Sequence, residues 1–242
     1  MKISYLDKIY EGKAKILYKT ENENQLVAYF KDDATAFNNL KKDVIASKGI
    51  LNNYISEHLM IKVAQEGIPT HFIKRISNRE QLVKKIKIIP LEVIIRNVSA
   101  GSMAKRLGIK EGIELDEAIF EICYKNDEFG DPIINEDHAI KVLKVITKDR
   151  LDQLRQLSLQ VNQILKDIFL EINIKLVDFK LEFGIDNDGI INLADEISPD
   201  SCRLWDLSNN NEKMDKDRFR RDLGGLIEAY EEIASRLKIK FE

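Results

Sequence analysis

The stretch VDFKLEF, residues 177–183, alternates strictly between apolar and charged side chains. Because successive residues of a β-strand face opposite sides of a sheet, this pattern predicts a strand with one buried side. The opposite side would carry Asp178, Lys180 and Glu182 in a row. A charged row of this kind either faces water or lines a site.

The residues after this strand predict a hairpin that brings two carboxylates together. Asp188-Gly189 favours a two-residue turn, and such a turn would place Glu182 directly opposite Asp195. Two carboxylates in that position repel each other unless a cation lies between them. Mg²⁺ prefers one or two carboxylates, with waters and substrate phosphates as its other ligands. A solvated strand face, neutralised by Lys180, explains the same pattern equally well.

Strand patterns dominate the first ~85 residues and predict a small antiparallel sheet. The segments SYLDKIY and AKILY flank the turn EGK, and QLVAYF follows after a polar stretch. An irregular apolar stripe predicts a helix from Lys48 to Gln65, and HFIKRI and QLVKKIKIIPLEVIIRN fit further strands. Pro90 within the last segment indicates an edge, a bulge or a link between lobes. We therefore expect a lobe boundary near Pro90.

The second half of the chain contains the strongest helical patterns. Ser99 could cap a short helix that ends at Gly108. Thr147 is a plausible cap for a helix that extends to about Glu171, with an apolar stripe at helical spacing. A last helix is expected from about Asp215. Helices and strands alternate only in part, so the pattern favours an α+β fold with antiparallel sheets and packed helices.

Composition restricts the class of protein. The chain has 242 residues and a net charge of −3, which argues against a general nucleic-acid binder. Its two cysteines form no metal-binding or redox motif, so buried free thiols in a reducing compartment are expected. The N-terminus has no signal-peptide pattern and no segment fits a membrane span. These features predict a soluble cytoplasmic protein.

Two segments fit anion-binding sites. YEGKAKILY places Lys13 and Lys15 on one side of a glycine-containing hairpin, where lysines can contact phosphates as point charges. An exposed hairpin with two solvated lysines is the alternative. In RNVSAGS a strand delivers Arg96 to a turn that opens a short helix bearing Ser102, and helix N-termini bind anions. A capped helix with a surface arginine fits this segment equally well.

The segment DEISPDSCRLWD, residues 195–206, concentrates charged residues in a turn-rich stretch. It contains Asp200 and Arg203, and its position beside the proposed metal strand favours a site over a plain loop. The later segment MDKDRFRRD carries Lys216 and Arg220 at the expected start of the last helix. By itself, such a charge run is usually solvated surface.

The segments YEGKAKILY, RNVSAGSMAKRLG, LVDFKLEFG, DEISPDSCRLWD and MDKDRFR occur in this order. As an ordered set they closely resemble the SAICAR synthetase family of purine biosynthesis, over nearly the whole chain. The resemblance implies a two-lobed fold related to ATP-grasp and kinase-like nucleotide folds. It divides the chain into a small β-rich nucleotide-binding lobe, residues 1–88, and a larger α+β lobe with the substrate and metal site, residues 89–242.

The reaction that this resemblance implies is an ATP-dependent ligation. The family joins L-aspartate to the carboxylate of carboxyaminoimidazole ribonucleotide (CAIR), which gives SAICAR, ADP and phosphate. Because a carboxylate is a poor electrophile, an acyl phosphate formed from ATP is the expected intermediate. Positioning and charge neutralisation contribute most to phosphoryl transfer.

The resemblance also assigns roles to matching positions. The expected nucleotide contacts are Gly12, Lys13, Ala14, Lys15, Lys84, Glu92 and Lys125. The expected Mg²⁺ ligands are Glu182 and Asp195. Asp178 and Lys180 are expected to act at the imidazole-carboxylate end of CAIR. The expected substrate-binding residues are Arg96, Ser102 and Arg203 for CAIR, Lys216 and Arg220 for aspartate, and Asp200.

Two other functions fit the same nucleotide cleft. A small-molecule kinase would use ATP without forming an amide bond, and a nucleotide-binding regulator would catalyse nothing. The intact charged row argues against the regulator, because simple binding does not need it. Homodimers are common in the family that the chain resembles, so a homodimer acting on small-molecule substrates is expected.

Overall fold

A computed structural model describes residues 7–36 and 40–241 of the chain. The elements up to residue 84 are β1 (Lys8–Glu11), β2 (Lys15–Lys19), β3 (Gln25–Phe30), β4 (Asp33–Ala36), β5 (Lys41–Val44), α1 (Lys48–Gln65), β6 (Phe72–Ser77) and β7 (Glu80–Lys84). The elements from residue 87 are β8 (Lys87–Val98), α2 (Gly101–Leu107), β9 (Glu114–Tyr124), β10 (Ile133–Ile134), α3 (Lys148–Glu171), β11 (Ile174–Ile185), β12 (Ile191–Ala194), β13 (Cys202–Asp206), β14 (Glu212–Lys213), α4 (Asp217–Arg220) and α5 (Leu226–Arg236). A 3-10 turn (Asp127–Phe129) and a π-helical turn (His138–Val142) lie between β9 and α3.

Two antiparallel sheets and a separate hairpin organise these strands. The first sheet has the order β1-β2-β3-β7-β6, which confirms the small sheet predicted for the N-terminal part. The start of the predicted strand SYLDKIY, residues 4–6, lies outside the described residues. The second sheet has the order β10-β9-β8-β11-β13-β14, with β12 also paired to β11, and β4 pairs with β5 alone. The predicted α+β class with antiparallel sheets is confirmed.

The main hydrophobic core lies between the second sheet and helices α1, α3 and α5. The four apolar residues of the alternating row on β11 are all buried, as predicted, but Asp178 and Glu182 on the opposite side are buried as well. The charged row therefore does not face bulk solvent. Burial of two carboxylates requires partners for their charges, and these partners define the site described below.

Two helices, α1 and α3, begin where the sequence predicts. Helix α3 follows Thr147, whose hydroxyl accepts a hydrogen bond from the amide of Arg150 at 3.4 Å. Helix α1 spans Lys48–Gln65 as expected. Its apolar stripe is irregular because polar residues such as Asn53 and Ser56 are buried with its apolar ones. The helix contacts the first sheet as well as α3 and α5.

Two predicted helix starts are wrong. Ser99 does not cap α2, since its hydroxyl donates to the carbonyl of Lys110 and accepts from the amide of Ile113. Gly108 does end this helix in a left-handed conformation, as predicted. The last helix does not run on from Asp215, because Gly224 and Gly225, both with positive φ, separate the short α4 from α5.

The register of the β11–β12 hairpin also differs from the prediction. Glu182 pairs with Ala194 and not with Asp195. The turn is longer than two residues because the Asp186 side chain accepts hydrogen bonds from the amides of Asp188 at 3.1 Å and Ile190 at 2.9 Å. This side chain organises a wide loop that Asp188-Gly189 alone does not predict.

Pro90 lies inside β8, where the register with β11 shifts. Glu92 pairs with Glu182, but Ile88 pairs with Gly184, so the β8 strand bulges between them. A bulge is one of the three alternatives that the sequence leaves open for Pro90, and the structure has a bulge there. The division of the chain at residue 88 stays a prediction. Within residues 7–36 and 40–241, no helix combines the length and apolarity needed to cross a bilayer.

Candidate active site

Both sheets contribute to a cavity of about 430 Å³. The β1–β2 turn and β4 form one side, and the charged faces of β8, β11 and the segment after β12 form the other. All predicted site residues except Lys84 line this cavity: Gly12, Lys13, Ala14, Lys15, Glu92, Arg96, Ser102, Lys125, Asp178, Lys180, Glu182, Asp195, Asp200, Arg203, Lys216 and Arg220. The ammonium group of Lys84 donates instead to Asn192 Oδ1 at 3.1 Å, so its assignment to the nucleotide stays a prediction.

The middle of the cavity is a network of lysines and carboxylates on β11 and its neighbours. Lys180 Nζ lies 2.8 Å from Glu92 Oε1, 2.7 Å from Glu182 Oε1 and 3.7 Å from Asp195 Oδ2. The ammonium group of Lys125 lies 2.5 Å from Glu182 Oε2. The alternation of the strand explains this grouping, since residues two apart on β11 and their cross-strand partners share one face.

The β1–β2 turn supplies two more lysines, and both line the cavity. The amide of Gly12 donates to the Lys15 carbonyl at 2.8 Å, which closes the turn. Lys15 pairs with Asp195 and lies 2.8 Å from Glu196 Oε1. Lys13 lies 2.7 Å from Asp127 Oδ1 at the outer edge. We call Lys13, Lys15, Lys125 and Lys180, with Glu182 and Asp195, the lysine end of the cavity.

The lysines of the lysine end determine the charge state of its two carboxylates. Burial disfavours the ionised form of Asp195, but Lys15 and Lys180 outweigh it and hold the pKa of this carboxyl below its usual range. Burial likewise opposes ionisation of Glu182, and Lys180 and Lys125 bring its pKa below the usual range. Both carboxylates are therefore ionised at neutral pH, and so are available to a cation.

The carboxylates of the lysine end are hard oxygen donors of the kind that Mg²⁺ prefers. Within the part of the chain that the structure describes, no group of three or more His, Cys, Asp or Glu side chains is arranged to hold a metal by itself. Glu182 and Asp195 provide two ionised, hard oxygen donors in one cavity. Mg²⁺ usually binds through one or two carboxylates, and substrate phosphates and waters complete its octahedron. The residues thus fit a Mg²⁺ site that is complete only with a bound phosphate.

Two arginines dominate the opposite end of the cavity. Arg96 Nη1 donates to Asp178 Oδ2 at 2.6 Å, and its Nη2 donates to the Ser102 hydroxyl at 3.1 Å. Arg203 Nη1 donates to both oxygens of Asp178 at 3.0 and 2.9 Å, and its Nε donates to Asp217 at 3.1 Å. We call Arg96, Arg203, Asp178 and Ser102 the arginine end. Each guanidinium is fixed by at least two acceptors.

A glycine allows Arg203 to approach the start of α2. Gly101 has φ +53°, and an added Cβ would lie 2.4 Å from Arg203 Nη2. Only glycine adopts this conformation without strain and leaves room for the guanidinium. The start of this short helix therefore lies against Arg203, in addition to Arg96, which the RNVSAGS pattern indicated and which contacts Ser102.

Asp200 also lines the cavity, and its carboxylate has its own set of partners. Its carboxylate is 2.7 Å from Lys48 Nζ and 3.4 Å from Lys216 Nζ, and it accepts from the Tyr230 hydroxyl at 2.6 Å. Burial disfavours its ionised form, but Lys216 and Lys48 outweigh it and hold the pKa of Asp200 below its usual range. Arg220 Nη1 lies 2.6 Å from Asp217 Oδ1. Asp200 thus anchors the buried Lys48 and, at a longer distance, Lys216.

Several lining residues carry no role in the sequence prediction. They are Tyr10, Thr35, Ala36, Ile94, Asp127, Asp131, Phe179, Glu196 and Ser201. Glu196 and Ser201 belong to the charge-rich segment after β12. That concentration of charge is a sequence signal that could have identified them as site residues. Asp127 lies two residues after Lys125, but no pattern connects this loop with Lys13. Burial lowers the pKa of a further neighbour, His71, to about 4.

Comparison with known proteins gives one consistent result. The family model for SAICAR synthetase matches residues 8–237. A phosphoribosylaminoimidazole-succinocarboxamide synthase of Clostridium novyi is 58% identical over 229 residues, which are 95% of this chain and 96% of that protein. The crystal structure of the synthase of the same name from Ehrlichia chaffeensis has a TM-score of 0.95 and 50% identity, and the match covers 98% of this chain and 100% of that one. A SAICAR synthetase solved in complex with ADP has a TM-score of 0.92 and 49% identity, and the match covers 96% of this chain and 99% of that one. This chain belongs to the SAICAR synthetase family.

Proposed function

We propose that the protein is an ATP-dependent ligase that joins L-aspartate to the carboxylate of CAIR and releases SAICAR, ADP and phosphate. The observation that carries this proposal is one cavity with a lysine end and an arginine end on either side of a charged strand. Two phosphorylated substrates need two separate cationic regions. Membership in the SAICAR synthetase family, and a relative solved with ADP, support the same assignment.

The ATP phosphates belong at the lysine end. The β1–β2 turn presents Lys13 and Lys15 to the cavity, and lysines bind phosphate as point charges. Lys15 is held by Asp195 and Glu196, and bound phosphate would share it with these acids. Glu92 and Lys125 extend this end towards the ribose and adenine, and Lys84 is retained as an outer nucleotide contact.

Glu182 and Asp195 would hold Mg²⁺ beside the phosphates. When bound, Mg²⁺ would neutralise phosphate charge that otherwise repels the attacking carboxylate. The lysines that now pair with these acids would then be released to the phosphate oxygens. This exchange needs mobile cations, and the lysine side chain provides them.

CAIR belongs at the arginine end. Arg96, Arg203 and Ser102 present donors that match a phosphate group and its ribose. Asp178 of the arginine end and Lys180 of the lysine end lie on the same face of β11, where the two ends meet. Their position suits the imidazole-carboxylate part of CAIR, with the ammonium group of Lys180 stabilising negative charge that passes from carboxylate to phosphoryl group.

The chemistry then takes two steps. A carboxylate oxygen of CAIR attacks the γ-phosphorus of ATP, and the bond to ADP breaks to leave an acyl phosphate. The amine of aspartate attacks the acyl carbon, phosphate leaves with the bonding electron pair, and the nitrogen loses a proton. Lys216 and Arg220 lie on the same cavity wall and are proposed to bind the aspartate carboxylates, with Asp200 holding Lys216.

Incubation of the protein with ATP, Mg²⁺ and CAIR, with and without aspartate, tests the proposal. The ligase should form SAICAR and stoichiometric ADP only when aspartate is present. A small-molecule kinase would give ADP and a stable phosphorylated product without aspartate. A regulator would bind ATP and form no product in any combination.

The predictions of a homodimer, a cytoplasmic location and a lobe boundary at residue 88 accompany this proposal. A monomeric mass in sedimentation equilibrium at micromolar concentration would contradict the homodimer. Limited proteolysis with cleavage near residue 88 would support the boundary.

A further inference from the structure

Asp195 has an unusual backbone for a residue that lies in the site. It follows the last residue of β12, Ala194, and has φ +60°. Non-glycine residues rarely adopt the left-handed conformation, although aspartate tolerates it better than most. Since Glu182 pairs with Ala194, a regular strand would send the next side chain to the opposite face of the sheet. The left-handed turn is therefore what brings the Asp195 carboxylate to the face of Glu182.

His71 contacts the backbone at this position. Its Nε2 lies 3.0 Å from the carbonyl oxygen of Asp195, and the side chain is buried. A carbonyl oxygen can only accept a hydrogen bond, so Nε2 must carry the proton. A neutral imidazole with its proton on Nε2 is thus required by this contact.

The segment that carries His71 is itself attached to β12. The amide of His71 donates to the Leu193 carbonyl at 2.8 Å, and the amide of Leu193 donates to the Pro69 carbonyl at 2.8 Å. Thr70 forms a parallel bridge with Leu193. The His71 carbonyl in turn accepts from the amide of Lys84 at 2.7 Å, so the first sheet anchors the backbone of His71.

We propose that His71 is a positioning residue that holds the left-handed backbone of Asp195 and so directs the Asp195 carboxylate into the cavity. The proposal rests on the proposed function, in which Asp195 takes part in Mg²⁺-dependent nucleotide binding. His71 does not line the cavity with the other site residues, and it acts through the Asp195 carbonyl. It connects the first sheet with one of the two acids proposed for the metal.

Calorimetric titration of ATP with and without Mg²⁺ tests this role without a catalytic readout. In His71→Phe, which keeps a planar ring but has no donor, the gain in ATP affinity from Mg²⁺ should fall about tenfold, the size expected when the partner of a metal ligand is lost. The affinity for metal-free ATP should stay within about twofold of the wild-type value, since the lysines remain.

Two further variants sharpen the measurement. His71→Gln, whose amide nitrogen lies about as far from the backbone as Nε2, should restore most of the Mg²⁺-dependent gain. His138→Phe, at an exposed histidine outside the cavity, should leave both affinities unchanged. Equal loss of affinity with and without Mg²⁺ in His71→Phe, or an unchanged gain, would overturn the proposal.

Nitrogen-15 NMR of the wild-type histidines provides a test that does not depend on a variant that folds. The chain has only three histidines, so the His71 signals can be assigned by comparison with His138→Phe and a His58 variant. The proposal requires the Nε2–H tautomer at neutral pH, and the Nδ1–H tautomer would overturn it. Absence of SAICAR synthesis in the wild type would reject the proposed function, yet the tautomer and the Mg²⁺ dependence of ATP binding would still decide the role of His71.

Discussion

The two ends of the cavity both hold cations paired with carboxylates, but they hold them in different ways. At the lysine end, the side chains of Lys13 and Lys125 are 40% and 36% exposed. At the arginine end, the side chains of Arg96 and Asp178 are 2% and 4% exposed. A planar guanidinium with several acceptors is fixed in one geometry, whereas an ammonium group on a flexible chain can change partners. The arginine end is thus formed before substrate binds, and the lysine end is built to rearrange.

This difference matches what each substrate would require. The phosphates of ATP are transferred and their charge moves, so mobile cations and a metal suit them. The phosphate of CAIR does not react, so a fixed binding site suits it. A rigid end and an adaptable end in one cavity therefore separate positioning from chemistry.

The largest effect is expected where burial is greatest. Asp200→Asn should lower the free energy of unfolding by about 3–5 kcal/mol at pH 7, because it leaves Lys48 buried without its counterion. Urea denaturation measures this loss. The matched control is Asp127→Asn, whose carboxylate lies at the same distance of 2.7 Å from a lysine, Lys13, but is exposed. The control should change stability by less than about 0.5 kcal/mol, and similar losses in both variants would contradict the comparison.

The stability difference between the wild type and Asp200→Asn should depend on pH. The pKa of Asp200 in the folded protein lies below its ordinary value of 3.8. A group with a depressed folded pKa stabilises the protein above its unfolded pKa, and this contribution is lost as the pH falls through the folded pKa. The stability difference between wild type and Asp200→Asn should thus be constant from about pH 5 to 8 and shrink below about pH 4. A difference that grows as the pH falls would contradict this sign.

A smaller effect is expected from the arginine end itself. Arg203→Ala should raise the KM for CAIR about 100-fold, equivalent to about 2.7 kcal/mol, and leave the affinity for ATP nearly unchanged. Arg203→Lys keeps the positive charge but loses the planar guanidinium, so its KM for CAIR should lie between those of the wild type and Arg203→Ala. Steady-state kinetics with each substrate varied in turn make the measurement. An effect on ATP alone would remove Arg203 from the CAIR site.

The lysine end should respond to its carboxylates in a metal-dependent way. Glu182→Gln is expected to raise the KM for Mg·ATP about 30-fold, since a neutral amide is a poor Mg²⁺ ligand. Binding of CAIR in the absence of metal should change far less, and Asp195→Asn should behave in the same way. Titration of CAIR without Mg²⁺ supplies the comparison, and equal losses in both measurements would count against the metal role.

The smallest effect concerns Lys13, the most exposed of the four lysines at the lysine end. Lys13→Ala should raise the KM for ATP about tenfold, the size of one hydrogen bond to a charged group. The melting temperature should not change, because exposed ion pairs contribute little to stability. Thermal melting measures the stability and steady-state kinetics measure the KM for ATP, both on the same preparation. A loss of stability without a change in KM would show that Lys13 belongs to the fold and not to the nucleotide site.

Local patterns in the chain predict much of the site. The alternation in VDFKLEF determines that Asp178, Lys180 and Glu182 share one face, because the period of a strand is set by its backbone. Thr147 and Gly108 mark helix ends through local hydrogen bonding and backbone freedom, so they too are readable from sequence. The ordered motifs identify the family because each segment keeps the residues that its chemistry needs.

The tertiary structure alone decided where these segments meet. Lys15 and Glu196 are 181 positions apart and form an ion pair, and no local pattern connects them. The hairpin register depends on the hydrogen bonds of Asp186, and the direction of Asp195 depends on a left-handed backbone beside His71. The sequence by itself determined which side chains share a strand face, since that follows from the geometry of neighbouring residues. Packing between distant segments decided which acids and cations share a cavity, because only the folded chain brings their charges within bonding distance.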